Sequence, residues 1–157
     1  MCGIFGVVGS REVSPLILDG LRKLEYRGYD SAGVATLFEG EINEVKSEGR
    51  VDNLEQNFDL KSLKGNIGIG HVRWATHGVP NSINAHPHSS DNVSVVHNGI
   101  IENSTILKKH LINKDHTFKS QTDTEVIVHL ITENLKTMEL EEAITKTLKQ
   151  LHGSFAL

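Results

Sequence analysis

The sequence predicts a mixed domain of helices and antiparallel strands, and three patterns predict it. Short β-branched runs bounded by Gly, Ser or Asn recur through the first hundred or so residues. Stretches with apolar residues at helical spacing come between and after them. The two kinds alternate without the steady strand–helix–strand period of a parallel array, which points to α+β.

The elements follow in order. Cys2 to Val8 is apolar and β-branched, is closed by Gly9 and Ser10, and reads as a buried strand. Val13, Leu16, Ile17, Leu21 and Leu24 share helical spacing, and Pro15 is tolerable in a first turn. Gly33 to Phe38, then Glu39-Gly40-Glu41, then Ile42 to Lys46 reads as a hairpin. Asn66 to Arg73 and Asn92 to His97 are two further strands, and Glu102 to Leu111 is a helix. Val126, Ile127, Leu130, Ile131 and Leu135 form the apolar face of one late helix. Leu140, Ala143, Ile144, Leu148 and Leu151 form that of another, which Gly153 stops. Ser154 to Leu157 starts a strand, so the expectation is one domain over 1–157 that is truncated at its C-terminal end.

Composition narrows the functions. With 157 residues, the chain is long enough to bury a real core. A net charge of −4 and a pI near 6.1 argue against nucleic acid as a partner. No apolar run approaches the roughly 18–20 residues that a membrane span needs, and Ile4 to Val8 is too short for a signal-peptide core. A cytoplasmic protein is the expectation. Nine histidines, including His86-Pro87-His88, invite a metal hydrolase, but the chain has no His-Glu-x-x-His pattern and no second cysteine. No metal and no cofactor are expected.

Cys2 is the only cysteine and directly follows Met1. Once Met1 is removed, a thiol and a free α-amine belong to one residue. The amine can then take the thiol proton near neutral pH without a histidine. A buried small residue opening a strand is the plainer alternative.

Three polar constellations interrupt the apolar pattern. They are His71-Val72-Arg73-Trp74-Ala75-Thr76-His77-Gly78, His97-Asn98-Gly99-Ile100-Ile101-Glu102-Asn103 and Thr122-Asp123-Thr124-Glu125. Each has a structural alternative. Asn98-Gly99 suits a type I′ hairpin turn, and Thr122 with Glu125 matches a capping box that Asp123 would reinforce. Arg73-Trp74 could be an ordinary strand-end pair. Beside an N-terminal Cys they also make one chemical set. A thiolate attacking a carboxamide needs donors for the developing oxyanion, which the Asn98 amide and the Gly99 N–H can supply. A zwitterionic substrate needs one cation and one anion, which Arg73 and Asp123 can supply.

Cys2-Gly3-Ile4, Tyr26-Arg27-Gly28-Tyr29-Asp30-Ser31-Ala32-Gly33, Arg73 to Gly78, His97-Asn98-Gly99 and Thr122 to Glu125 occur in this order over essentially the whole chain. Together they resemble the glutaminase domain of the glutamine–fructose-6-phosphate aminotransferase family. That family belongs to the class II, N-terminal-nucleophile amidotransferases. The resemblance implies a four-layer αββα fold with two packed antiparallel sheets. It implies that Cys2 is the nucleophile with its α-amine as base, that Asn98 and Gly99 form the oxyanion hole, and that Arg73 and Asp123 hold glutamine. Thr76 and His77 then belong to a substrate-side loop and His86 to a nearby one. Trp74 stands between the glutamine pocket and the ammonia exit, and Arg27 supports the end that carries the nucleophile. Fructose 6-phosphate would bind only to sugar-isomerase domains absent from this chain, in a parent enzyme expected to be a homodimer. A purine-pathway or asparagine-forming amidotransferase is the alternative, and Trp74 with the Tyr26 to Gly33 stretch argues against it. A non-catalytic fragment is another.

Overall fold

The computed structural model describes residues 2–157; Met1, and with it the expected N-terminal processing, lies outside them. The first apolar run forms β1 (Gly3–Val8), and α1 (Ser14–Leu24) carries Pro15 in its first turn and Arg22 and Lys23 in its last. Proline suits the first turn because no intrahelical bond needs its missing N–H, and the cations face the negative end of the helix dipole. β2 (Ser31–Phe38) and β3 (Glu41–Glu48) make the expected hairpin, paired from Ser31↔Glu48 to Phe38↔Glu41. After a six-residue helix, α2 (Asp52–Asn57), which the sequence pattern does not announce, β4 (Ile67–Arg73) inserts between β1 and β2. The result is a four-stranded antiparallel sheet in the order β1-β4-β2-β3.

The second half builds two smaller pairs. β5 (His88–Ser90) pairs with β6 (Val93–Val95), and β7 (Asn98–Ile101) pairs with β8 (Gly153–Ala156). Between β7 and β8 lie α3 (Ser104–Ile112), α4 (Glu125–Leu135) and α5 (Leu140–Gln150). α1 packs on one face of the large sheet, while α4 packs on β5 and β6 and against α3 and α5. The order is therefore helix, sheet, strand pairs, helices: the α+β, layered architecture that the resemblance implies.

Alternation along β4 explains why α1 fits so closely. Gly68, Gly70 and Val72 face the helix. A Cβ on Gly70 would lie 2.5 Å from Ile17 Cγ2 and 2.9 Å from Leu21 Cδ1. Ile17 and Leu21 are fully buried there, which stabilises the fold by about 1.5–3 kcal/mol per side chain. A second apolar core joins Ile101 and Leu111 to Val126, Ile127 and Leu130 of α4.

Four expectations need correction. Leu16 is exposed, because α1 turns it away from the sheet. On α5 only Ala143 and Leu151 of the expected apolar face are buried, whereas Leu140, Ile144 and Leu148 are exposed. Gly153 does not stop α5, which ends at Gln150 with Leu151 as its extended C-cap; Gly153, at φ +133°, opens β8. The expected strand 92–97 is two pieces, β6 and the approach to β7.

Close packing over β4 gives a direct test. Gly70→Ala is expected to lose about 1–3 kcal/mol through overpacking. Gly6→Ala, whose added Cβ would meet nothing nearer than 3.9 Å, should change stability by about 0.5 kcal/mol or less. Urea denaturation of the two variants measures this, and equal midpoints would contradict the packing described.

Candidate active site

β1 delivers Cys2 to the site. Because Gly3 pairs with Val72, Cys2 lies beside the end of β4. The Trp74 N–H donates to Cys2 Sγ at 3.2 Å, and Sγ lies 3.4 Å from the Trp74 carbonyl oxygen. The Cys2 carbonyl accepts from Arg27 Nε at 2.9 Å and from Asn98 Nδ2 at 3.1 Å. Arg27 comes from a single 3-10 turn, Glu25–Arg27, that follows α1. Three distant segments thus fix one residue at the edge of the sheet.

Arg73 ends β4 with its side chain buried. Its guanidinium donates to the carbonyls of His77, Gly78 (3.4 Å) and Val79 (3.5 Å), which shapes the loop that carries Thr76 and His77. Guanidinium has five N–H donors, so three carbonyls do not exhaust it. Burial pushes the Arg73 pKa down, and Asp30, Cys2 and Asp123 oppose the shift. Asp30 also accepts from the Ala75 N–H and, at 3.0 Å, from the Ser31 hydroxyl. It therefore ties the Arg73–Ala75 corner to the start of β2.

Asn98 and Gly99 open β7 and do not form a hairpin turn. Gly99 sits at φ +134°, and a Cβ there would lie 2.1 Å from the Ser154 carbonyl oxygen of β8. Only glycine fits that close approach. Asp123 caps no helix: α4 starts at Glu125 with Thr124 as N-cap. Asp123 Oδ2 accepts from the Ile101 N–H at 2.7 Å, and Oδ1 lies 3.9 Å from His77 Nδ1. The capping box is absent as well. Thr122 Oγ1 contacts His88 Nε2 and Ser120 Oγ, while Glu125 accepts from the N–H groups of Lys119 and Ser120.

Between the large sheet and the strand pairs lies a layer of histidines. His71 and His86 stack at 4.1 Å between ring centroids, and His88 and His97 lie against His86. All four are buried. Burial holds His71 down at about 4 and His88 at about 3, and it lowers His86 and His97 too. His86 accepts from the His97 N–H through Nδ1 and meets Thr124 Oγ1 through Nε2. Its nitrogens therefore serve this layer.

A cavity of about 540 Å³ gathers all ten residues that the sequence singled out: Cys2, Arg27, Arg73, Trp74, Thr76, His77, His86, Asn98, Gly99 and Asp123. Trp74 stands half exposed at its rim, edge-to-face with Tyr29. Sequence reasoning gave no part in the site to His97, Thr122 or Thr124, which also line the cavity, or to Ser154, Phe155 and Ala156 of β8. The β8 residues carry no local signal, since only pairing with β7 brings them in. Among the described residues no group of three or more His, Cys, Asp or Glu is arranged to hold a metal ion, and no helix is long and apolar enough to cross a membrane.

Layered antiparallel sheets with the lone thiol at a strand edge, bordering this cavity, are an architecture shared with solved amidotransferases. A solved Bacillus subtilis glutamine phosphoribosylpyrophosphate amidotransferase matches at a TM-score of 0.85 with 33% identity, over 99% of this chain and 34% of its own. A structure described as the allosteric regulatory enzyme of purine biosynthesis matches equally well at 34% identity. The chain belongs to the glutamine amidotransferase domain family, whose sequence profile matches residues 71–157. It is 56% identical over its whole length to a glutamine–fructose-6-phosphate aminotransferase (isomerizing) of Mesorhizobium japonicum, and 54% identical to that of Pyrococcus horikoshii. It spans only 26% and 27% of those relatives.

The histidine layer predicts acid sensitivity with a definite sign. Unfolded histidines bind protons below about pH 6.5, whereas His71 and His88 remain neutral in the fold down to about 4 and about 3. Stability is therefore full above pH 6.5 and falls as the pH drops toward 4. Burial works to raise Glu125, but His129, the Lys119 N–H and Ser120 hold it at about 2, so its contribution is lost only at lower pH. The urea midpoint should fall between pH 7 and 5 by the equivalent of at least about 1 kcal/mol. A flat midpoint over that range would mean that the layer is not neutral.

Proposed function

We propose that this chain hydrolyses the side-chain amide of glutamine, with Cys2 as nucleophile, to give glutamate and ammonia. One observation carries the reading: the only thiol borders a cavity that also holds an oriented carboxamide, a buried arginine and a buried aspartate. Once Met1 is removed, the Cys2 α-amine takes the thiol proton and the thiolate adds to the glutamine Cδ. The carbonyl π-bond becomes an oxyanion that accepts hydrogen bonds from Asn98 Nδ2 and the Gly99 N–H. The C–N bond then breaks, ammonia leaves with the proton held by the amine, and water cleaves the thioester to release glutamate and restore the thiol.

Arg73 holds the substrate α-carboxylate, and Asp123 holds the α-ammonium through Oδ1, since Oδ2 is committed to Ile101. Thr76 and His77 close the cavity over these groups. Trp74, at the rim, separates the glutamine pocket from the direction in which ammonia leaves. In a protein as long as the relatives named above, the ammonia would convert fructose 6-phosphate into glucosamine 6-phosphate. Identity of 50–56% to several such aminotransferases, against 33–34% to the purine-pathway structures, favours that acceptor. A cytoplasmic, homodimeric longer protein belongs to the same proposal.

Two measurements test the chemistry. A glutamine analogue carrying an electrophile should label Cys2 alone, and only in molecules whose intact mass lacks Met1; Cys2→Ala should neither be labelled nor hydrolyse glutamine. Substantial hydrolysis by folded Cys2→Ala would refute the mechanism. Binding separates from chemistry at two other positions. Asp123→Asn should raise KM more than it lowers kcat, whereas Asn98→Ala should chiefly lower kcat, by roughly 100- to 1000-fold. Lowered melting temperatures with unchanged kinetics in both variants would return these residues to a purely structural role.

A further inference from the structure

His71 is fully buried on β4, on the face opposite the one that receives α1. Its Nε2 lies 2.9 Å from Asn98 Oδ1 and 3.1 Å from the His97 carbonyl oxygen. Two oxygen acceptors at one ring nitrogen require that nitrogen to carry the proton. Nδ1 is buried with no hydrogen-bond partner, which suits a bare lone pair better than an unsatisfied N–H. Burial disfavours the imidazolium and keeps the ring neutral at pH 7. The ring therefore holds one tautomer, with a single N–H shared between the Asn98 oxygen and the His97 carbonyl.

That N–H decides which way the Asn98 carboxamide faces. At its other end Asn98 Nδ2 donates to the Cys2 carbonyl at 3.1 Å. Turning the amide over would set its NH₂ against the His71 N–H and its oxygen against the Cys2 oxygen, so both contacts would become repulsive. One Nδ2 hydrogen is taken by the Cys2 carbonyl, and the second remains for the oxyanion formed on the substrate carbonyl that Sγ attacks. Donation from His71 into Oδ1 also polarises the amide and strengthens its N–H as a donor. Resting on the glutaminase reading above, we infer that His71 is a positioning residue for the oxyanion hole: it acts on the reaction by orienting Asn98 and does not itself touch substrate.

A merely structural His71, one that only fills space and stacks on His86, makes different predictions. His71→Phe keeps the ring and the volume but loses the donor. His71→Gln places an amide N–H close to where Nε2 lies. If His71 positions Asn98, His71→Phe should lower kcat about 10- to 100-fold with KM nearly unchanged, less than the loss of Asn98 itself. His71→Gln should recover most of that loss. In an Asn98→Ala background, His71→Phe should cost no further kcat, because its effect runs through the missing amide. Equal kcat in His71→Phe and the parent protein, failure of His71→Gln to recover more than His71→Phe, or full additivity with Asn98→Ala would overturn the inference. If His71→Phe does not fold, the parent protein still decides it. Long-range ¹H–¹⁵N NMR at pH 7 should show His71 neutral with Nε2 protonated, and an Nδ1–H tautomer or a charged ring would exclude the mechanism. The two proposals fail separately. An Asn98→Ala variant with unchanged kcat sinks the glutaminase reading. A large Asn98→Ala effect with no His71→Phe effect sinks only the role of His71.

Discussion

A strand paired on both edges and covered on both faces can carry polar side chains only where other polar groups meet them, and β4 is such a strand. Its backbone is consumed by β1 on one side and β2 on the other. One face, Gly68-Gly70-Val72, is pared down so that Ile17 and Leu21 can approach. The opposite face presents His71 and Arg73, both buried. Burying these groups without partners would be costly, so the second layer must offer acceptors at matching places. It does so through the His97 carbonyl, Asn98 Oδ1 and the carbonyls of His77 to Val79. Satisfying β4 therefore also builds the floor of the cavity.

The same constraint explains why the inner layer is rich in histidine. A neutral imidazole has one donor, one acceptor and a flat apolar face. It can stack like an aromatic ring, as His71 does on His86, while still meeting a backbone group at its edge. Lysine or a carboxylate would bring a charge that the dry interior penalises. The arrangement holds only while the rings stay neutral, so the material that makes the sheet interface polar also limits it in acid.

Much of this was legible in the sequence, for physical reasons. β1, α1, the β2–β3 hairpin, β4 and the late helices follow from local periodicity, and local periodicity is what sequence patterns encode. The ordered motifs brought ten residues to one cavity because residue chemistry and motif order are also written locally. What escaped depends on distant partners. Asn98-Gly99 fits a turn until β8 arrives to pair with it, and the close approach of Ser154 is the reason for glycine at 99. Thr122 and Glu125 match a capping box until His88 and the 119–120 backbone compete for them. On α5 the stripe of Leu140, Ile144 and Leu148 looks like a core face, yet the residues that turn inward are Ala143, Thr147 and the C-cap Leu151. His71 could have been noticed from alternation alone, since it shares a strand face with Arg73, but its partner lies 27 residues away.

Geometry around Cys2 ties these levels together. Its carbonyl takes donors from Arg27 and Asn98, and its sulfur takes one from the Trp74 backbone. Each donor comes from a different part of the chain: the turn after α1, the start of β7 and the end of β4. The position of the thiol is thus set by backbone and side-chain anchors from three separate parts of the chain. Because an amide nitrogen carries two hydrogens, Asn98 can donate one to the Cys2 carbonyl and still have a second to give. Asp123 divides its oxygens in the same way, Oδ2 to the Ile101 N–H and Oδ1 toward the cavity. In the proposed reaction, anchoring and chemistry fall to different atoms of the same side chains. This is how a chain with a single thiol can keep its site aligned before any substrate arrives.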